Sequence, residues 1–121
     1  MKKWIIGLTL LASLNGFAET RKFTVVNHQF EGTKQWLPGT LVVNEGDDVE
    51  ITLINNAPSG VHNYSIPQFK VDQNVLKGKK ATVKFKADKP GLWNVMCGLH
   101  KAHVGGQFIV IADPKNNDDG K

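Results

Sequence analysis

Residues 80–112 read KATVKFKADKPGLWNVMCGLHKAHVGGQFIVIA, and this stretch decides the fold. In its first seven residues Ala81, Val83 and Phe85 alternate with Lys80, Thr82, Lys84 and Lys86. Side chains of an extended chain point to opposite faces in turn, so the pattern predicts a strand with one buried face. Asp88-Lys89-Pro90-Gly91 is a turn, and residues 92–96 and 107–112 read as two further strands. The connection between those last two strands carries Cys97, His100 and His103.

The same rhythm continues toward the N-terminus. Residues 21–26 (RKFTVV) open with β-branched and aromatic residues, and residues 40–43 (TLVV) run into the turn Asn44-Glu45-Gly46-Asp47. Val49, Ile51 and Leu53 then alternate with Glu50 and Thr52, the two-residue period of a half-buried strand. Residues 55–60 (NNAPSG) form a loop, residues 61–66 (VHNYSI) a strand stopped by Pro67, and Lys77-Gly78 a turn. Residues 71–76 fit a loop or a helical turn. Turn signals recurring about every ten residues predict an all-β sandwich of about seven or eight strands.

The chain has 121 residues, 40% of them hydrophobic, which suits one domain with its own core and excludes a disordered protein. Its formal charge of +4 comes from scattered lysines, so no nucleic-acid partner is expected. A single cysteine excludes an internal disulfide, a CxxC redox pair and a multi-cysteine zinc ribbon. Met1-Lys2-Lys3, the apolar residues 4–14 and the small residues Gly16 and Ala18 form the three parts of a secretory leader cut before Glu19. The apolar run is too short for the roughly 20 residues of a spanning helix, so no stable membrane insertion is expected. The expected organisation is a signal peptide at 1–18, a domain at 19–113 and a flexible polar tail at 114–121. Export to the periplasm would place the lone thiol in an oxidising compartment, where it should be buried or held by a metal.

Cys97-Gly98-Leu99-His100-Lys101-Ala102-His103 is a C-x2-H-x2-H cluster inside one short connection between two strands. His62 starts a strand leaving another loop, and sandwiches gather their loops at two ends. One thiolate with imidazoles favours copper or zinc over magnesium or calcium. The expected ligands are therefore His62, Cys97, His100 and His103. As fourth ligand, His103 would draw Cu(II) toward a tetrahedral or tetragonal arrangement and weaken the copper–thiolate bond. His28 has no partners in sequence and is not expected to bind. Met96 should point opposite to Cys97 into the core, while Trp36 and Trp93 read as core or rim aromatics. Asn63 is expected to donate a hydrogen bond across to the second ligand loop.

These segments together resemble the cupredoxins, the small copper-binding Greek-key β-sandwiches. LVVNEGDDVEITLIN, VHNYSI and FKADKPGLWNVMCGLHKAHVGGQFIV carry the likeness over nearly all of the chain after the leader. His62 with Asn63 is similar to the first ligand and its neighbour in blue copper proteins, and Cys97 and His100 to the next two. The spacing is similar to the short ligand loop of the amicyanins, with His103 where they have methionine. The order of segments is similar to the red-copper nitrosocyanins, with His62 where their glutamate falls. The binuclear copper domains of cytochrome oxidases carry a second cysteine where Trp93 stands, so the resemblance implies one copper ion per chain. It also implies an electron carrier with a redox partner protein. A copper carrier with an acceptor protein is the alternative, and an enzyme working on a small molecule at an open copper position is less favoured.

Overall fold

The computed structural model describes residues 18–100 and 102–116. They form nine strands: β1 (Thr20–Phe30), β2 (Thr33–Leu37), β3 (Thr40–Asn44), β4 (Asp48–Asn55), β5 (His62–Ile66), β6 (Val71–Val75), β7 (Lys80–Lys86), β8 (Gly91–Val95) and β9 (Gly106–Ile111). One sheet has the order β2-β1-β4-β7 and the other β3-β9-β8. The hairpin β5-β6 joins the second sheet through paired backbone bonds between Ser65 and Met96, at 2.8 and 3.0 Å. β1 runs parallel to β4 and β3 parallel to β9, so the chain crosses between the sheets rather than meandering.

Alternation builds the interior. Along β4, Val49, Ile51, Leu53 and Asn55 are buried while their neighbours face outward. They meet Val25 of β1, Leu41 and Val43 of β3, and Phe108 and Val110 of β9 in one core. Phe69, Phe85 and Phe108 close one side of it, with ring centroids 5.3 to 5.4 Å apart. Dispersion and burial therefore hold two sheets that offer one apolar face each.

Against the seven or eight strands expected, β2 and β6 are the two that the sequence did not mark individually. β2 pairs with the far end of β1 through a turn at Glu31 and Gly32, both with positive φ, 49° and 84°. Its residues TKQWL offer no alternation, and pairing with an unusually long β1 is what makes it a strand. β6 (VDQNV) buries only its end valines, yet all five residues pair with β5. Tertiary pairing overrides weak local preference in both. Residues 1–17 and 117–121 lie outside the described residues, and with them nearly all of the leader and most of the polar tail. Pro114–Asn116, at the start of that tail, forms a 3-10 turn.

Beneath the β3–β4 turn sits a buried carboxylate. Asp47 is fully buried and accepts hydrogen bonds from the Glu19 and Asn44 amides, at 2.7 and 2.8 Å, and from Arg21 Nε at 3.0 Å. Burial alone would push this carboxyl up. The two amides and the guanidinium outweigh it and hold Asp47 below the usual carboxylate range.

Candidate metal centre

The loop after β4 is shaped by Asn55. Its amide Nδ2 donates to the carbonyls of Gly60 and Val75, at 2.8 and 2.9 Å, and its Oδ1 accepts from the Ala57 amide at 3.1 Å. That clamp delivers His62 to the first position of β5, fully buried. Ser59 Oγ lies 2.9 Å from His62 Nε2, while His62 Nδ1 is buried with no hydrogen-bond partner. A buried ring nitrogen with no protein partner calls for one that is not made of protein.

Cys97 follows the Ser65–Met96 bridge directly, so the backbone bonds that attach β5 to β8 also place its sulfur. Its side of the chain is buried, and Met96 on the other side is 43% exposed rather than in the core. The loop ends at Gly105 and Gly106, where close packing leaves no room for a side chain. A Cβ at Gly105 would collide with the Val95 carbonyl oxygen, and one at Gly106 with that of Gly39. The Val104 amide donates to the Lys34 carbonyl at 2.8 Å, anchoring the same segment to β2.

Asn63 joins the two loops, donating across to the second one as expected, but from its backbone and not its side chain. Its backbone N–H donates to Cys97 Sγ at 3.3 Å, and its side-chain Oδ1 accepts from the Gly98 amide at 2.9 Å. The side-chain Nδ2 instead donates to Asp72 and Asn74 of β6, at 2.7 and 2.9 Å. Trp36 Nε1 completes the frame with a bond to the Asn63 carbonyl at 3.1 Å.

His62, Cys97 and His100 offer one ligand atom each, all within 4.8 Å of one another. Cys97 Sγ and His100 Nδ1 stand 3.6 Å apart. A sulfur and a nitrogen bound to one ion at about 2.3 and 2.1 Å would sit about 3.6–3.8 Å apart at tetrahedral to trigonal angles. The donor chemistry and spacing fit a thiophilic ion such as copper or zinc. His103 stands beside this group rather than within it. Its ring centroid is 5.1 Å from that of His62, and its Nε2 lies 2.7 Å from Asn27 Oδ1. His28 is exposed on β1 and is not part of the group.

Burial, followed by the neighbouring His103, His100 and Lys34, pushes His62 down from 6.5 to about 4. Burial also lowers His103. His62 therefore stays neutral in the folded protein through mildly acidic pH, the state a metal requires. Between pH 6.5 and 4 the unfolded chain binds a proton at position 62 that the folded chain refuses, so stability falls as pH falls. Metal-free protein should lose about 2–3 kcal/mol at this position on going from pH 7 to 4. Urea unfolding of wild type and His62→Phe at both pH values measures it. The substitution should remove much of the pH dependence, and equal losses in both proteins would refute the assignment.

Asn27, Asn55, Ser59 and Trp36 were invisible as site residues in the sequence. The only signal was the Pro/Gly-rich loop that contains Ser59, since the partners lie on strands far apart in the chain.

Comparison with known proteins agrees with this architecture. The family model described as a cupredoxin-like domain matches residues 4–110. A copper nitrite reductase from Nitrosomonas europaea superposes with a TM-score of 0.70 at 22% identity, covering 80% of this chain and 43% of that one. A multicopper oxidase, mgLAC, gives 0.68 at 20% identity, with 85% and 42% covered. A Cu-containing nitrite reductase from Thermus scotoductus gives 0.66 at 27% identity, with 85% and 30% covered. This chain thus spans less than half the length of each of these solved chains.

Proposed function

The chain belongs to the cupredoxin-like domain family, and on that premise we propose that it is an exported one-copper protein passing single electrons between partner proteins. The observation that carries this reading is buried His62, its Nδ1 without a hydrogen-bond partner, grouped with a cysteine and a second histidine. His62, Cys97 and His100 would hold the ion, which when bound supplies a one-electron Cu(I)/Cu(II) couple.

The chain's own contribution is rigidity and access. The Asn63 backbone N–H bonded to the Cys97 sulfur fixes the direction of that side chain. Asn55, Asn63 and Trp36 tie both ligand loops to strands, so the ligand atoms resist rearrangement when charge changes. His100 is only half-buried, and in the same connection Leu99 and Val104 are 49% and 44% exposed. An apolar rim around a ligand ring suits brief docking of a redox partner. Export to the periplasm is supported by the leader-like residues 1–18. Cleavage before Glu19 would also turn the amide that now meets buried Asp47 at 2.7 Å into an ammonium facing a carboxylate.

Mixing the copper-loaded protein with a reduced c-type cytochrome, and separately with a copper chelator or apo-acceptor, tests the function. The expected result is complete one-electron reduction with the metal retained over many cycles. Release of copper to the acceptor faster than electron exchange would replace this reading with copper delivery.

A further inference from the structure

The placement of His103 follows from a chain of amides that begins far from the ligands. Asn55 Oδ1 must face the Ala57 N–H, and Asn55 Nδ2 must face two carbonyls, so the orientation of its amide is fixed. Asn27 Nδ2 therefore donates to Asn55 Oδ1 at 3.0 Å, which turns Asn27 Oδ1 toward His103 Nε2 at 2.7 Å. An amide oxygen only accepts, so this contact is a hydrogen bond with the His103 proton on Nε2, and at 2.7 Å it is shorter than the contact of Nδ1 with a second acceptor. Its other nitrogen, Nδ1, lies 3.1 Å from the Val104 carbonyl. The ring is buried and held between two others, with centroids 5.1 Å from His62 and 6.0 Å from Trp36.

We propose that Asn27 is a positioning residue that holds His103 outside the ligand set, making the metal site three-coordinate from protein side chains. This rests on the metal-site reading above and says what sets its coordination number. His103 has the chemistry and the sequence position of a fourth ligand. The turn closed by its N–H bond to the His100 carbonyl, at 3.1 Å, brings it beside the other rings. The Asn27 bond turns it into a wall instead. Without that acceptor the ring can carry its proton on Nδ1, against the Val104 carbonyl, which leaves an Nε2 lone pair free for the ion. Asn27 also shares its hydrogen-bond partner, Asn55, with the loop that delivers His62. One amide pair thus positions both the ligand on one side of the site and the non-ligand on the other.

Two measurements test this. Long-range 1H–15N correlation on metal-free wild-type protein reads the His103 tautomer directly. A proton on Nε2 is expected, and a proton on Nδ1 overturns the proposal. This arm does not depend on copper, so it stands even if stoichiometric copper binding fails and takes the functional reading with it. Copper(II)-loaded protein then supplies the second arm. Wild type should show two coordinated imidazoles by pulsed EPR, and Asn27→Leu should show three, with its thiolate charge-transfer band weakened and moved to shorter wavelength. Asn27→Leu with His103→Phe should return the band to its wild-type position. Three imidazoles in wild type, an unmoved spectrum in Asn27→Leu, or no return in the double variant each overturn the proposal. Should Asn27→Leu fail to fold, the wild-type tautomer and imidazole count decide alone.

Discussion

Cys97→Ser is expected to abolish the strong thiolate-to-copper absorption and to lower copper affinity by more than about a hundredfold, while leaving the metal-free fold intact. The magnitude follows from the donor set. Removing residues that merely support a ligand commonly costs about 10–100-fold in affinity, and the only thiolate should cost more. The fold should survive because the sulfur is small, and a serine oxygen can still accept the Asn63 amide that now bonds to it at 3.3 Å. Competition titration with a Cu(I) chelator and the optical spectrum of the loaded variant measure both effects. Retained affinity would mean that copper sits elsewhere.

The second large effect concerns stability alone. Asp47→Ala should destabilise the protein by about 2–4 kcal/mol, because it strands two backbone amides that a buried carboxylate now satisfies, at about 1–3 kcal/mol for each group left unpaired. It leaves the Glu19 and Asn44 amides and the Arg21 guanidinium facing a void. Because Asp47 is held below the usual carboxylate range, its contribution is full at neutral pH. It disappears as pH falls through the depressed folded value. The turn lies at the start of β4 and the ligand loop at its end, about 23 Å away at 3.3 Å per residue. Urea unfolding should therefore show the loss, and the copper spectrum of the folded variant should be unmoved. A changed spectrum would show that the two ends are coupled.

What the sequence made legible follows the range of each signal. The alternation in 49–53 and 81–85 is local, and the strands β4 and β7 lie where it predicts. Cys97 and His100 are three residues apart in one loop, so their meeting needed only a short turn. His62 could be joined to them because sandwiches collect loops at their ends. His103 is different. Its orientation depends on Asn27, 76 residues away, and on the Asn55 amide that orients Asn27. Nothing in C-x2-H-x2-H spacing encodes such a bond. β2 and β6 were similarly hidden, because their pairing partners make them strands and their own residues do not. Met96 shows the limit of period-two reasoning: the side was correctly opposite to Cys97, but that side is half in solvent.

The central claim is that one thiolate and two imidazoles converge on one ion. X-ray absorption on wild-type protein loaded with a single equivalent of copper reads that donor set most directly. One short copper–sulfur distance is expected together with scattering from the imidazoles of His62 and His100. A spectrum with no sulfur in the first shell would contradict it.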